Sequence, residues 1–156
     1  MDFSKDNYVI VEVIPTHSKS DKGFIAQLSA LKLNGIVLED RFDYRVADEL
    51  IENKDLLNMI SYDKKDFKYV NDKGEIFEKF IDWIGDYPLI LIDNTYTLDY
   101  LRDIKNKKEL IYPYLNIEYT QDVFSKIIER YNLEDSNYLV DLVYEAIIYE
   151  MNHHDK

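Results

Sequence analysis

Residues 8–14, Tyr-Val-Ile-Val-Glu-Val-Ile, set one acidic side chain, Glu12, inside an otherwise apolar run with no turn former. Successive side chains of a strand point to opposite faces, so such a run cannot keep one face in water. It has to lie within a sheet that is covered on both sides, which calls for helices above and below it. A chain of 156 residues is long enough for one such domain built around a single core.

The segments that follow fit that demand. The stretch 15–22 carries Pro, Ser and Asp and reads as a loop. Residues 24–33 and 36–46 are a pair of strands around Asn34-Gly35, a strong hairpin signal, and extend 8–14 into an antiparallel meander. Residues 47–60 have helical spacing. In 75–84, Ile76, Phe77, Phe80, Ile81 and Ile84 share one helical face, and Gly85 is placed to stop the helix. A short buried strand is expected over 88–92 and the entry to another helix over 95–103. Amphipathic helices are expected over 120–131 and 137–151, with the final His-His-Asp-Lys as a frayed end. The order β-β-β-α-β-α-α describes an α/β domain in which a mixed five-stranded sheet, with 8–14 central, is flanked by helices.

Charge narrows the partners. Thirty-one acids against 19 bases give −12, with the acids spread along the chain. Tight nucleic-acid binding relies on cationic groups that release counterions from phosphates, and this chain is poorly supplied with them. The lysines near 19–22 and 105–108 read as solvated loop residues. Another protein is the expected partner, and no membrane association is expected. With no cysteine there is no disulfide framework and no thiolate site. The first residues lack the apolar core of a signal peptide, so a soluble, cytoplasmic protein is the expectation.

Over residues 7–152 the order of segments resembles the DnaQ-like (DEDD) 3′–5′ exonucleases, which carry a ribonuclease H-like fold. Residues 8–16 look like that family's first strand, where Asp-x-Glu precedes Thr-Thr-Gly. Residues 23–46 are similar to its second and third strands, 88–103 to the segment ending His-Asn-x-x-Phe-Asp, and 136–146 to the final His-x-x-x-x-Asp motif. The resemblance implies nucleotide removal from 3′ ends by water attack on a phosphodiester, assisted by two Mg²⁺ or Mn²⁺ ions. Such ions need several carboxylates to neutralise them and fix their geometry.

Carried over residue by residue, the resemblance places Glu12 at the first acid's position and Ile14 at the second. Thr16 matches one threonine, and His17 stands where the glycine would be. Asp93-Asn94 replaces His-Asn. Leu98 falls at the third acid, with Asp99 one residue late. Asp141 matches the fourth acid, but Ser136 stands at the histidine and Asn137 at the alternative tyrosine, Tyr138 missing by one. A serine hydroxyl cannot replace an imidazole base near neutral pH.

The leading expectation is therefore an exonuclease-like domain with a degraded two-metal site, catalytically inactive and kept as a binding or regulatory module with no cofactor. One alternative is a working metal-dependent exonuclease with a variant site, in which Glu12, Asp99 and Asp141 are catalytic and Asp93 joins them as a metal ligand. Another is an acidic protein that mimics nucleic acid to occupy a cationic groove.

Structural readings stand beside these. Glu12 reads equally as a paired or protonated strand acid. Asp141 lies opposite the apolar face of its helix, beside Glu145. Asp99 fits a first-turn helix acid, and Asp93 a turn or capping residue. His17 reads as a loop residue, His153 and His154 as terminal ones. The tyrosine-rich 112–119 reads as a packing or protein-contact surface ahead of a base-stacking one.

Overall fold

The computed structural model describes residues 4–17, 19, 21–58, 67–91, 99–101, 111–112 and 139–154. The strands are β1 (Asn7–Pro15), β2 (Ile25–Asn34), β3 (Val37–Val46), β4 (Lys68–Val70), β5 (Leu89–Leu91) and β6 (Ile111–Tyr112). They form one mixed sheet in the order β4-β3-β2-β1-β5-β6. β1 pairs antiparallel with β2 and parallel with β5, so it is central, and β2–β3 is its antiparallel extension. Lys68–Val70 adds a short parallel strand at the β3 edge, beyond the segments expected from the sequence.

Two helices cover opposite faces. On one, α1 (Glu75–Ile84) sets Ile76, Phe80 and Ile84 against Val9, Val11, Leu28 and Ala30. On the other, α2 (Leu139–His154) packs Val140, Val143 and Ile147 on Tyr8, Ile10, Leu31 and Leu33. Tyr8 through Val11 are all fully buried, which is what the unbroken apolar run demands of a two-sided layer. Burying one such side chain contributes roughly 1.5–3 kcal/mol.

Local chemistry sets the ends of these elements. Gly35 adopts φ +61° at the first position of the two-residue β2–β3 turn, so the turn is centred one residue later than Asn34-Gly35. A Cβ there would also sit 2.7 Å from the Ser4 carbonyl oxygen. Gly85 ends α1 at φ +57°. At the same end, Lys32 donates to the Trp83 carbonyl (2.5 Å) with its ammonium over the Trp83 and Tyr87 rings. Trp83 Nε1 donates to Asp40 (2.9 Å), tying helix to strand.

Two expectations are corrected. Residues 47–58 form two short 3₁₀ segments, Asp48–Leu50 and Lys54–Asn58, in place of one helix. Ile51, between them, is extended (φ −98°, ψ 111°), and the Asn53 side chain accepts the Asp55 N–H that an α-helix would pair with the Ile51 carbonyl. At the other end of the chain, α2 continues through His154, because no Gly or Pro interrupts it. The expected helix over 120–131, residues 95–98 and 102–103 of the expected 95–103 helix, and 113–119 lie outside the described residues.

Candidate functional site

Glu12 sits half-buried on β1, directly opposite Ser29 of β2, which in turn faces Asp43 of β3. Residues opposite one another in antiparallel pairs point to the same face. The row Glu12–Ser29–Asp43 therefore crosses the α2 side of the sheet, next to the rows Ile10–Leu31 and Tyr8–Leu33 that α2 covers. Ile14, two positions after Glu12, is half-buried against the core cluster around α1. The position where the resemblance would set a second carboxylate thus contributes hydrocarbon.

Asp141, in the first turn of α2, meets Arg41 of β3. The guanidinium donates to both carboxylate oxygens, Nη1 to Oδ1 at 2.5 Å and Nη2 to Oδ2 at 3.0 Å. Its Nε donates to Asp43 Oδ2 at 3.2 Å. One cation thus bridges an acid on the sheet and an acid on the helix. Both side chains of the Arg41–Asp141 pair are about one-third exposed, at 36% and 33%. Solvent screening therefore limits the pair to about 1 kcal/mol or less. The contact matters for what it occupies more than for stability.

Asp43 is buried, and desolvation raises its pKa against the opposing influence of Arg41 and the Ser29 hydroxyl, with Asp141 adding to the rise. A carboxyl whose folded pKa lies above its unfolded one favours folding while protonated. That contribution fades as pH rises through the folded value. We expect the stability of Asp43→Asn, relative to the parent chain, to improve between pH 4 and pH 7 in urea titrations. A difference independent of pH would contradict this.

The loop after β1 is built around Thr16. Its Oγ1 accepts from the Phe24 N–H (3.0 Å) and donates to the Phe24 carbonyl (3.3 Å), while Thr16 N–H donates to the same carbonyl (2.9 Å). His17 Nδ1 lies 3.0 Å from that hydroxyl. Tyr100 donates to the His17 carbonyl at 2.8 Å and contacts the Lys19 carbonyl at 3.2 Å. A Cβ on Gly23 would come within 2.7 Å of the Thr16, His17 and Tyr100 side chains, so any larger residue there has to displace these hydrogen-bonding groups. Thr16 and His17 also line a cavity of about 520 Å³ with Lys22, Phe24 and Lys73.

Asp99 is helical together with Tyr100 and Leu101, which enter the α1-side core. Asp93 lies outside the described residues, as do Leu98 and 136–138. The described residues thus place Glu12 and Asp141 on one side of the sheet, with Asp141 held by Arg41. Among them no group of three or more His, Asp or Glu side chains converges as a metal site. No helix among them is long and apolar enough to cross a membrane.

Arg41 and Tyr100 were not singled out by the sequence. Arg41 carries no signal of its own, since a cation in a charged strand normally meets solvent. Tyr100 is one residue past the acid that drew the eye. No protein-family model and no curated protein matches this chain.

Proposed function

We propose that the chain is a ribonuclease H-like domain of exonuclease ancestry whose two-metal chemistry has been lost, and that it serves as a binding or regulatory module for another protein. The fold half of this reading is supported by the central β1, with its antiparallel β2–β3 extension on one side and parallel β5 and β6 on the other. The observation that carries the loss is the two-point grip of Arg41 on Asp141. A divalent ion needs carboxylate oxygens with lone pairs to spare. Here each oxygen already gives one lone pair to a charge-assisted hydrogen bond from a group that never gives up its proton, so its remaining lone pair lies beside a fixed positive charge. An approaching metal ion would meet a fixed positive charge where the family presents a free acid, and Ile14 supplies no second carboxylate.

A protein partner is favoured by the net charge of −12, which opposes phosphate backbones. Exposed Ile36, Val37 and Leu38 at the β2–β3 turn, flanked by Glu39 and Asp40, add an apolar contact of the kind that interfaces use.

The test is direct. Purified protein incubated with end-labelled single-stranded DNA or RNA and Mg²⁺ or Mn²⁺ is expected to leave the substrate at full length. Turnover that disappears in Asp141→Ala would overturn the reading.

A further inference from the structure

The cavity beside the β1–β2 loop is chemically unlike the rest of the surface. In a chain with 31 acids and 19 bases, the described residues that line one concavity of about 520 Å³ include two lysines, Lys22 and Lys73, and one carboxylate, Glu52. These described lining residues sum to a positive charge even with the His17 imidazole neutral. Among the described residues neither ammonium has a carboxylate partner. Lys73 Nζ instead lies 5.2 Å from the centre of the Phe24 ring. Leu50 and Phe24 supply the apolar part of the wall. A smaller cavity of about 180 Å³ continues past Phe24 and Lys73 to Phe77 and Tyr100.

We propose that this cavity binds a small organic anion, with its carboxylate or phosphate head between Lys22 and Lys73 and its planar or apolar body against Phe24 and Leu50. Its volume falls in the range of small-molecule sites, and the mix of an apolar wall with a few convergent polar groups is what such sites have. Thr16, His17 and Phe24 are already tied by the Thr16–Phe24 hydrogen bonds and by Tyr100, so little ordering of these residues opposes binding. The overall negative charge repels a long polyanion along its whole length. It acts much less on one small anion seated between two ammoniums, because the distant acids are screened. Neither Glu12 nor Asp141 is among the described residues that line it, and the proposal does not depend on the fate of the metal chemistry.

Calorimetric titration of the full chain with benzoate and with phenyl phosphate, in EDTA so that no divalent ion takes part, tests the proposal. Saturable one-site binding of at least one of the two is expected, with benzyl alcohol, which has the ring and no charge, failing to saturate. The tighter of the two anions identifies the head group. Lys73→Ala and Lys22→Ala, both surface changes, are each expected to raise the Kd about tenfold, the worth of one charge-assisted hydrogen bond. Phe24→Leu is expected to weaken the ring-bearing anions while leaving inorganic phosphate unaffected. No saturable binding of either anion overturns the proposal, and so does binding that the double lysine variant leaves unchanged.

Discussion

Phe80→Ala is expected to destabilise the domain by about 3–5 kcal/mol. Phe80 has no exposed surface and sits in the middle of α1, where the helix meets β1, β2 and β3. Its ring stands edge-on to Phe42 with centroids 5.4 Å apart, and lies 6.1 Å from Trp83. Removing it takes away the transfer free energy of a whole ring and leaves a cavity between elements that Lys32 and Trp83 pin in place, so collapse is limited. Domains of this kind are stable by only about 5–15 kcal/mol, so the loss is a large share of the total. Urea unfolding followed by far-UV circular dichroism measures it. A change below about 1 kcal/mol would mean that α1 does not pack as described.

Val143→Asp is expected to cost about 4 kcal/mol or more. Val143 is 1% exposed and packs with Val140 and Ile147 on Tyr8, Ile10, Leu31 and Leu33. A carboxylate there either undocks α2 or takes up a proton, and both routes weaken the fold, more so as pH rises and the charge is restored. Undocking also carries Asp141 away from Arg41, so the variant reports on the site as well as on the core. Stability measured at pH 5 and pH 8 should show the larger deficit at pH 8. Val37→Thr, at a position 63% exposed, should stay within about 0.5 kcal/mol of the parent.

Much of the fold could be read from local patterns. The unbroken run at 8–14 demanded cover on both faces, and α1 and α2 provide it. The helical face of Ile76, Phe80 and Ile84 is the one that is buried, and Gly85 ends that helix. Patterns failed where the deciding contact was distant or the element too short. Lys68–Val70 is three residues, too few for a period to show, and its pairing with Tyr44–Val46 is a tertiary event. In 47–58 the apolar spacing is right for a helix, but Ile51 is extended and the Asn53 side chain takes the Asp55 N–H, so local side-chain bonding outweighs propensity.

The site divides along the same line. Which positions carry acids could be read one by one, as with Ile14 beside Glu12. What held Asp141 could not, because Arg41 lies 100 residues earlier and only the packing of α2 on β3's side of the sheet brings them together. A helical wheel assigned Asp141 to solvent, and a wheel has no view of the neighbouring strand.

The account turns on whether a guanidinium has taken over the place of a metal ion. The most direct measurement is a Mn²⁺ titration of the purified chain followed by thermal unfolding, with Arg41→Ala alongside. An intact two-ion site at a hundredfold excess over its Kd would add about 2.7 kcal/mol. The account predicts no saturable Mn²⁺-dependent rise in melting temperature for the parent chain. A saturable rise that Asp141→Ala abolishes would contradict it.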